Sequence, residues 1–174
     1  TPALTGSINL VGAKIDDLHL TKYRETINPA SPTIIFLSPS GTKGALFAEQ
    51  GFVAGPGTSV KLPDPKSEWK APDGAVLAPG KPVTLTWDNG EGVVFSRTVS
   101  IDDEYVFAIS QTVQNNTQTA LNLLPYARIQ RQDTPVIAGY WVFFEGMLGV
   151  FDGTLNEVHY SDAAESKEPT KLDS

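Results

Sequence analysis

Apolar and polar residues alternate with a period of two along most of this chain. The clearest stretch runs Val83-Thr84-Leu85-Thr86-Trp87, then Asp88-Asn89-Gly90-Glu91-Gly92, then Val93 to Ile101. On its second arm Val93, Phe95, Val99 and Ile101 share a side. Side chains in a strand point to opposite faces in turn, so one face of each arm is buried and the other wetted. Asn and Gly tolerate positive φ, so the Asn89-Gly90 step between the arms predicts a hairpin.

The same reading predicts strands at Leu4 to Leu10 and Ala13 to Thr21, separated by Val11-Gly12. The alternation breaks at Asp16-Asp17, which predicts a bulge or bend there. Further strands are expected at Thr33 to Ser38 and Leu46 to Val53, at Tyr105 to Asn115, and at Ala120 to Arg131. Pro125 inside the last of these predicts an edge position or a bulge, because proline lacks the ladder donor. Tyr140 to Glu145, Met147 to Phe151 and Thr154 to Tyr160 complete the set, with Asp152-Gly153 as a turn. Residues 54–82 hold six of the thirteen prolines and read as a long excursion, with short edge strands near Val60 and Trp69. The expected fold is all-β: one large antiparallel sandwich of eleven to fourteen strands with little helix, over residues 1–160. Residues 161–174 are polar and read as a linker.

Composition narrows the function classes. Cysteine is absent, which excludes disulfides, thiolate metal sites and a cysteine nucleophile. The net charge of −7 argues against nucleic acid and anionic lipid as partners. No apolar run approaches the ~18–20 residues of a membrane helix. The chain starts without Met, and Thr1 to Leu4 reads as the start of a strand, so a piece of a longer protein is expected.

Candidate chemistry is sparse. A nucleophilic triad or a metal centre would have to use His19 or His159, and neither lies in a Gly-x-Ser-x-Gly elbow or a His-x-x-Glu-His pattern. Both are expected to be strand histidines with polar neighbours. Asp16, Asp17, Asp88, Glu91 and Glu145 are carboxylates of the type that hydrolyse glycosides, but turns explain most of them. No cofactor or metal is expected. Aromatic side chains are the more open signal, since they can line a groove for sugars or an extended apolar segment. The candidate groove or partner contacts are Trp69, Tyr126, Arg128, Tyr140 and Trp141. Trp69 is expected to be exposed, and Trp87 to be core.

Several segments together resemble a known family. They are Thr5 to Leu10, Gly12 to Leu18, Lys22 to Thr26, Leu37-Ser38-Pro39-Ser40-Gly41, Leu85 to Gly92, Leu124 to Ile129, and Glu145-Gly146 leading to Gly149-Val150. Their order is similar to that of the large periplasmic domain of the bacterial YidC membrane protein insertases, the alphaproteobacterial type above all. The resemblance runs from about Thr1 to Tyr160. It implies a β-supersandwich of the galactose-mutarotase kind on the periplasmic face of the inner membrane. It implies a non-catalytic, monomeric interaction domain of a protein that inserts and folds inner-membrane proteins, with or without the Sec translocon. The implied partners are SecF-type Sec components and nascent membrane proteins. The mutarotase kinship leaves a sugar-binding or sugar-processing module as the alternative. Mutarotases use a glutamate base and two histidines, and neither His19 nor His159 matches that motif. A histidine beside a carboxylate in a cleft would favour sugar chemistry. Exposed aromatics without a titratable pair would favour binding.

Overall fold

The computed structural model describes residues 1–135 and 144–166. The chain forms two compact units, Thr1–Asp133 and Thr134–Ser174. Among the described residues strands dominate the first unit, and every strand pair is antiparallel.

The first unit holds eight strands: β1 (Leu4–Asn9), β2 (Lys14–Arg24), β3 (Thr33–Leu37), β4 (Leu46–Ala54), β5 (Val83–Asp88), β6 (Val93–Ile101), β7 (Phe107–Asn115) and β8 (Leu123–Arg131). β1-β2-β4-β8 form one sheet, with β3 joined to β2; β5-β6-β7 form the other. The buried faces meet in a sandwich. Ala13, Trp69, Val83, Leu85, Val93 and Phe95 make one part of the core, and Ile15, Leu18, Leu37 and Val99 another. The first also takes Ile8, Phe52 and Leu123 of the five-stranded sheet, and the second joins Ile15, Leu18 and Leu37 of that sheet to Val99 of the other, so the alternation seen in the sequence is the packing of one sheet on the other.

Local features follow the residues. On β1–β2, Ser7 faces Asp17 and the next residue, Ile8, faces Ile15, so Asp16 is the extra residue of a bulge. That lets Ile15 and Leu18 both reach the core across an odd spacing. The β5–β6 hairpin forms as expected, but Asn89 does not take positive φ; Gly90 and Gly92 do, at 76° and 88°. Asn89 is instead buried, and its Oδ1 accepts the N–H of Glu91 at 2.7 Å and of Val93 at 3.0 Å. Its side chain supplies the turn's acceptor, an Asx role. Among the described strands β8 lies at the end of its sheet, with Pro125 opposite Phe52, a position that tolerates proline.

The proline-rich excursion makes no ladder at Val60. It becomes a strap at residues 67–70. The N–H of Gly12 bonds Ser67 O, and the N–H of Trp69 bonds Leu10 O. Lys70 exchanges both backbone bonds with Thr86 of β5. The strap therefore ties the β1–β2 turn to the edge of the other sheet.

The second unit contains β9 (Gly146–Phe151), β10 (Thr154–His159) and α1 (Tyr160–Glu165). Asp152 and Gly153 both take positive φ, 49° and 79°, which is the backbone of a two-residue hairpin turn. The last strand ends one residue earlier than expected, and a short helix replaces the start of the polar linker. Asp162 in its first turn is favourably placed against the helix dipole. Of the expected strand at Tyr140 to Glu145, Phe144 and Glu145 are described and are not in a strand; the rest of it, with the candidates Tyr140 and Trp141, lies outside the described residues.

Candidate docking cleft

β1 has one neighbour, β2, among the described strands. Its other edge borders a cleft of about 580 Å³. One wall is Leu4, Ile8, Ile15 and Leu18; the opposite wall is Val83, Leu85, Ile101 and Phe107. The loop from Ala71 to Leu77 closes the third side, with Val76 exposed at the lip. The lining is mostly aliphatic, and Phe107 is the one aromatic residue in it.

Asp17 is the one charged residue in that lining, and its carboxylate stands on the outer face of the strand pair beside Ser7. Its Oδ2 accepts the Ser7 hydroxyl at 2.7 Å. Its Oδ1 lies 3.2 Å from His19 Nε2. Register explains the group: Ser7 faces Asp17 across the strand pair, and His19 lies two residues along the same face. A histidine thus stands beside the carboxylate of a residue that borders the cleft. The order of the three differs from that of a nucleophilic triad, where imidazole sits between hydroxyl and acid. Here the carboxylate is in the middle, and both neighbours spend their bonds on it.

The candidates Trp69, Tyr126 and Arg128 gather elsewhere, around a residue that was not singled out from the sequence. Arg97 is 1% exposed in the centre of the sandwich. Its Nη1 donates to Ala13 O at 2.7 Å and to Gly12 O at 3.4 Å. Its Nη2 donates to Gln50 O and to Gln111 Oε1. Trp69, expected to be exposed, is 2% exposed with the Arg97 guanidinium over its ring. The strap carries it inward, where the indole face covers a cation that water cannot reach. Tyr126 lies over Gly51, its register partner, where an added Cβ would sit 2.7 Å from the ring. Arg128 Nη2 bonds the buried Glu49 carboxylate at 2.8 Å. Burial pulls the Arg97 guanidinium below its ordinary pKa, while Tyr126 and Glu49 push the other way. Trp69, Tyr126, Arg97 and Glu49 line a space of about 10 Å³. That is the scale of a single water, too small for a sugar or a peptide side chain. Trp87 packs against the core and meets Phe95 at 5.7 Å between ring centroids.

A family model of the YidC periplasmic domain matches residues 1–174. The chain belongs to the YidC periplasmic domain family. A membrane protein insertase YidC from Nitrobacter hamburgensis is 45% identical over 168 residues, 96% of this chain and 28% of that protein. Those from Bradyrhizobium diazoefficiens and Beijerinckia indica are 44% and 46% identical over 167 and 172 residues. The chain covers 96% and 98% of its own length in those matches, and 27% and 28% of theirs. It therefore spans little more than a quarter of the curated relatives it matches. As a YidC periplasmic domain its place is the periplasmic side of the inner membrane. Among the described residues no helix is long and apolar enough to cross a membrane.

The features that shape this YidC domain's interior were partly readable. Arg97 falls in phase with Val93, Phe95, Val99 and Ile101, and a charge on an apolar face signals a buried, paired group. Glu49 falls likewise in phase with Phe47 and Gly51. The cleft gave no local signal, because its walls are brought together from β1, β5 and the 71–77 loop.

Proposed function

We propose that this domain is a non-catalytic docking module of its insertase, and that the cleft beside β1 is where it receives a partner. The partner is an extended segment of a client membrane protein or of a SecF-type Sec component, taken up while the insertase works with or without the translocon. The observation that carries this reading is a strand edge, unpaired among the described strands, that opens onto an apolar slot. An open edge supplies backbone donors and acceptors to an added strand, and the slot supplies area for alternate side chains. A photo-crosslinking residue at Ala75, on the cleft wall, tests it in the full-length insertase. Crosslinks to nascent clients or to the Sec component are expected there and not at Ser100, on the far face of β6. Crosslinks at Ser100 with none at Ala75 would overturn the reading.

One observation favours a second reading. The Asp17–His19 pair beside the cleft is the arrangement that a sugar-processing site would need. Monosaccharide titration by calorimetry, with polarimetry of anomer interconversion, separates the two. Heat of binding or catalysed interconversion abolished by Asp17→Asn would support the sugar reading over docking.

A further inference from the structure

We propose that Asp17 makes the cleft selective for an extended segment carrying Lys or Arg between two apolar residues. The inference rests on the docking reading and adds the chemistry of the occupant. Leu4 and Ile8 of β1 are half-buried and pack on the core, whereas Thr5 and Ser7 are exposed. A strand laid against β1 inherits this alternation, because successive side chains point to opposite faces. Its residue opposite Ser7 stands on the outer face, and the residues on either side of it point into the slot toward Val83, Leu85 and Phe107. Directly opposed side chains in a sheet are about 5 Å apart at Cβ. Serine is short, so a long side chain opposite Ser7 can pass over it to the carboxylate that Ser7 itself bonds.

Charge decides what that side chain is. Asp17 is the one charged residue among those lining the cleft, its carboxylate stands on the outer face beside Ser7, and the chain as a whole carries −7. A glutamate at that position would face a second carboxylate; a lysine or arginine would form an ion pair with it. The Ser7 hydroxyl and His19 occupy one position on each Asp17 oxygen. A carboxylate has about four acceptor positions, so acceptor capacity remains for a further donor.

The test uses full-length insertase in lipid nanodiscs and three end-blocked peptides. They share an alternating apolar–polar frame and differ at one central outward position: Lys, norleucine or Glu. Binding is read by fluorescence anisotropy, and its place by crosslinking at Ala75. The Lys peptide is expected to bind roughly three- to five-fold tighter than the norleucine peptide, with the Glu peptide weakest. Asp17→Asn, which keeps an acceptor for Ser7, is expected to erase the Lys preference, and Asp17→Glu to restore part of it. Equal affinities with crosslinking intact would overturn the role of Asp17 and leave the docking reading standing. No crosslinking of any peptide at Ala75 would overturn both.

Discussion

The guanidinium carbon of Arg97 lies 4.9 Å from the centroid of the Trp69 ring. Arg97 belongs to β6 of the three-stranded sheet, and Trp69 to the strap that fastens that sheet to the β1–β2 turn. The same guanidinium reaches Gly12, Ala13 and Gln50 of the five-stranded sheet. One cation thus bridges both layers and the strap between them.

Arg97→Ala leaves carbonyls from three residues without their donor in a dry interior. A loss of more than about 3 kcal/mol is expected in urea unfolding. Arg97→Met fills more of the space and is expected to cost less than Ala, because volume is kept while the buried charge is removed. A ranking with Met below Ala would show that the space Arg97 leaves does not accommodate an unbranched apolar chain.

Trp69 Nε1 is buried without a hydrogen-bond partner among the described residues. Trp69→Phe removes that donor and keeps an aromatic face for Arg97. Stability is expected to stay within about 1 kcal/mol of the parent. Trp69→Ala removes the face as well, and a loss of about 3–5 kcal/mol is expected by the same measurement.

How much of this was legible in the sequence depended on distance along the chain. The hairpin at Val83 to Ile101, the Asp16 bulge and the edge position of β8 all follow from a local break or a local period, and all three stand in the structure. Trp69 was misplaced because its surroundings are prolines and polar residues, the composition of an exposed loop. What buries it is Arg97, twenty-eight positions later, and no local pattern carries that pairing. The cleft beside β1 was hidden for the same reason. Its walls come from residues 4–18, 71–85 and 101–107, and only the fold makes them neighbours.

Gly6 is held close against β2. A Cβ built there would lie 2.1 Å from Asp17 O. Gly6→Ala is therefore expected to destabilise by about 1–3 kcal/mol, as overpacking does. It should also displace β1 from the lip of the cleft, so peptide crosslinking at Ala75 is expected to fall with it. Unchanged stability and crosslinking would show that β1 can shift without cost.

The Asp64 carboxyl is held below the ordinary aspartate range, first by the Lys66 backbone N–H and then by the Ser67 hydroxyl. A carboxyl depressed in the folded state contributes stability above its unfolded pKa and loses that contribution as pH falls through the folded value. The turn at residues 64–67 is expected to loosen in acid, below the usual aspartate midpoint. Carbon-detected NMR titration checks this. Ser67→Ala is expected to raise the Asp64 midpoint, and an unmoved midpoint would remove Ser67 as a cause.

The strap at residues 67–70 is fastened on both shores of the sandwich, to Leu10 and Gly12 on one and to Thr86 on the other. The β1–β2 turn at one end of the cleft is thus held at a fixed distance from β5, and on the docking proposal the host is set before a guest arrives. An incoming chain gives up its own freedom of motion, while the host has little left to surrender. Capture should then be governed by encounter rather than by rearrangement, which suits a receiver for segments that are exposed only briefly.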